Sequence, residues 1–274
     1  MTASLLTMLI AGFTPGLSLV AVMPQGPDIE TKITAMLDSV RASKMREANV
    51  ALVSFGTRHV LSSTTDSKKG TGAARRWLQK KLESFIPMSD GRLTVESEVY
   101  TSPSMRLRQN VKIVNIVATL RGVSDPDRVY VVGGHYDSRN SRGTDGENAA
   151  PGANDDGSGT CVVIEACRVM CKHPFAATIK FVCYDGEEQC LLGSEAHAKA
   201  LADAGTNVDG MITNDIVGNT LGMDGKRRRG YLRCFSYSAT GNDSIGRSLA
   251  RAATYGTRQH VQDFAIKMVY RGDR

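Results

Sequence analysis

The chain has 274 residues, of which 41% are hydrophobic and 23% charged. That composition suits a large folded domain and is too apolar for a disordered tail. The net charge of +6 permits acidic partners, but aromatics are only 6% and no basic stripe interleaved with them occurs, which argues against nucleic-acid binding.

No charged side chain precedes Asp28. Apolar stretches over 5–13 and 17–22, split by Thr14-Pro15-Gly16, have the length and composition of a signal peptide cleaved near Ala21. Residues 1–26 are therefore expected to be a leader, and the protein to be secreted or periplasmic. Both stretches fall well short of about 20 residues, so no membrane anchor is expected.

Residues 29–53 read as one helix, with Ile33, Met36, Leu37 and Val40 at helical spacing. Gly56-Thr57-Arg58-His59 ends that region. Gly70-Thr71-Gly72 mimics half of a dinucleotide fingerprint. It follows Ser67-Lys68-Lys69 and not a strand, so it reads as the start of a helix over 73–85. Strands follow over 93–100 and 110–120. A regular alternation comes next: strand 129–133, helix 158–172, strand 178–184, helix 194–204, strand 211–214.

Such alternation predicts an α/β three-layer sandwich, with a mixed, mostly parallel central sheet covered by helices on both faces. Lys226-Arg227-Arg228-Arg229, flanked by Gly225 and Gly230, reads as a solvated turn. A strand over 231–237, a helix over 244–255 and a strand over 265–270 follow. No repeat or linker divides 27–274, which is expected to be one domain.

Of the six cysteines, Cys161, Cys167 and Cys171 share one predicted helix and Cys183 lies in a strand, so most read as small core side chains. Their even number permits one or two bridges in an exported protein. No CxxC zinc pattern and no GxSxG elbow is present.

The chemistry gathers at strand ends. His135 lies just past strand 129–133, Glu187 and Glu188 just past 178–184, and Asp215 just past 211–214; Asp155 sits in a Gly-rich loop before a helix. In an open parallel sheet, ligands bind outside the carboxyl ends of the strands. Three strands thus deliver an imidazole or a carboxylate to one edge. Imidazole with carboxylates suits zinc, although cobalt or manganese fits the same donor types. Two adjacent glutamates allow one to hold a cation and the other to take a proton. Asp156 and Ser158 read as caps of the helix that begins there. His59, His173 and His197 read as surface or packing residues, and His260 stands in no ligand motif. The triplet Arg271-Gly272-Asp273 reads as a chance match to an adhesion motif.

The segments HYDS, PGANDDGSG, YDGEE…LLGSEAHA and a later ND resemble the co-catalytic zinc aminopeptidases of metallopeptidase family twenty-eight, across roughly residues 50–274. The resemblance implies a site of two zinc ions. His135, Asp155 and Asp215 would hold one, and Asp155 would bridge to a second held also by Glu188. Glu187 would be the general base, and Asp137 would orient the His135 imidazole. It also implies a cis peptide between Asp155 and Asp156.

In that family a histidine shortly after a segment like Asp273-Arg274 completes the second ion. The chain stops at Arg274, so a truncated product is expected, with one complete metal triad; the alternative is a divergent protein with one metal. The expected activity is removal of N-terminal residues from peptide substrates. The alternatives are a glutaminyl cyclase-like single-zinc transferase and a non-catalytic degenerate peptidase domain.

Overall fold

A computed structural model describes residues 29–222, 224–237 and 244–271. The expected leader, and Gly272 and Asp273 of the triplet, lie outside the described residues.

The region expected to be one helix over 29–53 is two. α1 (Ile29–Asp38) and α2 (Ala42–Ser54) part at Arg41, whose backbone is extended at φ −129° and ψ 107°. The Arg41 N–H donates to Glu165 Oε1 at 2.6 Å, and Arg168 donates to the same oxygen at 2.6 Å. A carboxylate 124 residues away therefore competes for the backbone, which helical spacing does not report.

α3 (Gly70–Glu83) buries Ala73, Ala74, Leu78 and Leu82. It is followed by β1 (Leu93–Ser104), β2 (Gln109–Leu120), β3 (Asp125–His135), α4 (Gly157–Met170), β4 (Ala177–Tyr184), α5 (Leu192–Asp203) and β5 (Asn207–Thr213). The last described elements are β6 (Tyr231–Tyr237), α6 (Ile245–His260) and β7 (Ala265–Arg271).

The central sheet runs β1-β2-β4-β3-β5. β2 is antiparallel to β1 and to β4, while β3 is parallel to β4 and to β5. Four strands therefore share a direction and β2 alone opposes them, as expected of a mixed, mostly parallel sheet. β6 and β7 form a separate parallel pair against α6.

Side-chain alternation along β2 sorts the two faces. Val114, Ile116, Ala118 and Leu120 join the core made with α2, α3 and α4. Val111 and Ile113 meet Leu192 of α5, and Val117 packs with Val129, Val131 and Val182. This is a three-layer α/β arrangement.

All six cysteines are free thiols. Cys161, Cys167, Cys171 and Cys183 are buried in the core, and the bridges that their even number allowed do not form. The 226–229 run is exposed, as a solvated turn should be, with Arg228 paired to Asp224.

α5 is tied to the sheet by a polar cluster. His197 Nδ1 lies 2.7 Å from Glu98 Oε2, and the same oxygen accepts from Tyr100 Oη at 2.8 Å. Burial alone would raise the Glu98 carboxyl; the bonds from His197 and Tyr100 outweigh it and hold the group below 4.5. A depressed folded-state value contributes stability above the unfolded-state value, and that stability is lost as pH falls through the folded one. Glu98→Gln is expected to lower the melting temperature at neutral pH and to flatten its decline below about pH 4.5. Melting curves across an acid series would show a parallel shift instead if this carboxylate played no such part.

Candidate metal centre

Strand register brings the site together. His135 pairs with Tyr184 across β3 and β4, and Gly133 pairs with Thr213 across β3 and β5. The turns after these strands therefore rise from one rim. α4 starts against the same rim: a Cβ on Gly159 would lie 2.1 Å from Asn214 O, so only glycine lets the helix start approach this closely.

His135 Nε2 lies 3.2 Å from Asp155 Oδ1, 3.8 Å from Asp215 Oδ1 and 3.8 Å from Glu187 Oε2. One donor atom each from His135, Asp155 and Asp215 falls within 4.8 Å of the others. The imidazole is 5% exposed, whereas Asp155 and Asp215 are 50% and 46% exposed, so a buried ligand faces an open acidic rim.

Nε2 is buried and makes no hydrogen bond, although three carboxylates surround it. A buried polar atom left in that state is costly. A divalent cation bound by Nε2 and the two aspartates would satisfy it, and borderline-to-hard donors of this kind suit zinc. Electrostatics agree. Burial disfavours a charged imidazole, yet the neighbouring carboxylates of Asp137, Asp155 and Asp215 outweigh it and hold the ring far above its ordinary range. The acids demand a positive charge at this point.

Asp137, fully buried, fixes two components at once. Its Oδ1 lies 3.3 Å from His135 Nδ1, and its carbonyl lies 3.2 Å from the same nitrogen. Its two carboxylate oxygens accept the backbone N–H groups of Glu187 and Glu188, at 3.1 and 3.2 Å. The glutamate turn is also anchored from behind. Asp185 Oδ2 accepts from Arg75 at 2.6 Å and from the Val114 N–H at 3.0 Å. Gly186 turns the chain at φ +71°, a conformation in which glycine carries no penalty. Glu187 and Glu188 both titrate above the ordinary glutamate value. Burial is the main cause, Asp137 adds to both, and His135 and Arg139 respectively oppose.

Asp156 does more than cap α4. Its Oδ1 accepts from the Gly159 N–H at 2.7 Å, as a cap should, and from Ile216 at 3.3 Å; its Oδ2 accepts from the His135 N–H at 3.1 Å. It therefore ties together the three segments that bear His135, Asp155 and Asp215. The peptide between Asp155 and Asp156 is cis, as the resemblance implied.

Arg58, which sequence reading passed over as part of a turn, is wholly buried behind this loop. It donates to the carbonyls of Tyr136, Pro151 and Gly152 at 2.5, 2.7 and 3.0 Å. Burial pulls it down to about 10, while Asp137 and Asp156 pull the other way. An arginine in a Gly-Thr-Arg-His turn carries no sequence signal for such a role.

Glu188 is the residue that the resemblance assigns, with Asp155, to a second ion. It is not among the three residues whose donor atoms converge; its Oε2 accepts from Arg139 Nε at 2.5 Å. His59 and His197 are packing residues, both buried, and His260 pairs with Glu30. A nearby cavity of about 460 Å³, lined by Met45, Asn49, Ser158 and Tyr231 among others, includes none of these donors.

Comparison with known proteins points the same way. The profile of Peptidase family M28 matches residues 115–273. A probable zinc metalloprotease from Leptosphaeria maculans is 40% identical over 265 residues, covering 90% of this chain and 62% of its own length. Another from Pyrenophora teres f. teres is 38% identical over 274 residues, covering 93% and 56%. The chain thus spans about three fifths of the length of these curated relatives.

Among solved structures, the LapA aminopeptidase of Legionella pneumophila is 20% identical with a TM-score of 0.61, over 89% of this chain and 59% of that one. A glutaminyl cyclase of Porphyromonas gingivalis is also 20% identical, with a TM-score of 0.61 over 86% and 78%. At these identities the likeness is one of fold.

Proposed function

The chain belongs to Peptidase family M28, and we propose that it is a zinc-dependent aminopeptidase that hydrolyses N-terminal residues from peptides. The observation that carries this reading is the buried, unpartnered His135 Nε2 facing Asp155 and Asp215, with Glu187 beside it. His135, Asp155 and Asp215 would hold zinc, which when bound supplies the Lewis acidity that makes a water acidic and a carbonyl electrophilic.

The protein's own groups supply the rest. Glu187, a third exposed and held above the ordinary glutamate range, takes the proton of the attacking water and returns it to the departing amine. Asp137 is a positioning residue: it fixes the imidazole through Nδ1 and the glutamate turn through two backbone N–H groups. The open carboxylates of Asp155 and Asp215 give the rim the charge that a substrate's terminal ammonium would meet. The charge-free leader supports export as part of the same proposal.

A single-zinc glutaminyl cyclase is the second reading. The pairing of Glu188 with Arg139 favours it, because one metal triad is then left whole. Purified protein is expected to cleave aminoacyl nitroanilides, to lose that activity on chelation and to regain it with zinc. Cyclisation of N-terminal glutamine without nitroanilide cleavage would favour the second reading. A protein that binds no zinc and does neither would be a non-catalytic domain.

A further inference from the structure

Around the rim, positive charge from the chain itself reaches one acid in particular. Arg139, on the loop after β3, donates through Nε to Glu188 Oε2 at 2.5 Å, and Arg106, on the β1–β2 turn, donates through Nη1 to the Glu188 carbonyl at 2.5 Å. Glu188 is only 10% exposed, so its carboxylate has little water to turn to and is committed to this partner. One guanidinium therefore occupies the carboxylate of Glu188, which the resemblance pairs with Asp155 at a second ion.

A cation on that pair would meet the guanidinium as a like charge and would have to break a charge-assisted bond with little solvent nearby. We propose that Arg139 is a built-in cation which takes the place of a second metal ion, so that the centre of this chain loads a single zinc. The inference rests on the metal reading above. It adds that Glu188 is a positioning group locked by arginine and not a ligand in the resting protein. Arg139 is 38% exposed, so the residue can be exchanged with little loss of packing.

The test is zinc titration of the metal-free full chain by calorimetry, with bound metal counted by elemental analysis. The unmodified protein is expected to take up a single zinc. Arg139→Gln is expected to take up a second, or to tighten a weak second binding event by roughly tenfold or more. Arg139→Lys, which keeps the charge, should stay at one, and adding Glu188→Gln to Arg139→Gln should abolish the gain. Two equally tight ions in the unmodified protein would overturn the proposal while leaving the metal reading intact. So would an Arg139→Gln protein that still takes up only one. A chain that binds zinc in neither form would defeat the metal reading together with this extension of it.

Discussion

Glu187→Gln is expected to lower turnover by about a hundredfold to ten-thousandfold while leaving zinc content and melting temperature close to those of the unmodified protein. The amide keeps the size of the side chain and loses its ability to accept a proton. The backbone N–H of residue 187 still bonds to Asp137, so the turn is held. Glu187 Oε2 lies 3.8 Å from His135 Nε2 without being one of the three converging donors, so it stands beside the group of residues that would hold the metal and not within it. Rate measurements with the zinc-loaded variant would separate the two roles. A variant that lost its zinc would mark Glu187 as a ligand, and one that kept full turnover would remove it from the mechanism.

The largest effect on stability is expected at Arg75. It donates to Asp185 at 2.6 Å and to Tyr136 Oη at 2.9 Å, and Asp185 is wholly buried. Burial pushes the Asp185 carboxyl up to about 6 against the pull of Arg75, while the pair raises Arg75. Desolvation outweighs the pair at the acid, whereas Tyr136 and the acid together outweigh it at the base. Arg75→Met would leave a buried carboxylate with the Val114 N–H as its remaining donor, at a cost of about 3–5 kcal/mol.

The sign with pH follows. A carboxyl whose folded-state value lies above its unfolded one binds more protons when folded, so stability falls as pH rises between the two. The variant is therefore expected to lose more stability at pH 8 than at pH 5, and adding Asp185→Asn should recover part of the loss. Denaturant titrations at the two pH values would contradict this account if the loss were below about 1 kcal/mol and independent of pH.

The framework of the site was legible because period and punctuation carry it. Continuous apolar strands ending in His135, in the turn before Glu187 and just before Asp215 place those residues on one rim, and the rim forms. The Gly-rich loop before α4 placed Asp155 there as well. What escaped sequence reading depends on partners far along the chain. The break at Arg41 comes from Glu165, the support of the glutamate turn from Arg75, and the loop behind Asp155 from Arg58.

Arginines are ordinarily solvated, so neither composition nor spacing reveals which of them is buried against an acid. The same reason hid Arg139, and with it the fate of Glu188. Asp156 was legible as a helix cap but not as the joint between three segments. That function requires His135 N and Ile216 N to be brought within reach by the fold.

The most direct measurement is X-ray diffraction from zinc-loaded crystals at wavelengths on either side of the zinc absorption edge. The account predicts an anomalous peak about 2.0–2.2 Å from His135 Nε2 and from one oxygen each of Asp155 and Asp215. A metal bound elsewhere, or an imidazole joined to Asp155 by a plain hydrogen bond with no ion between them in a zinc-soaked crystal, would contradict it.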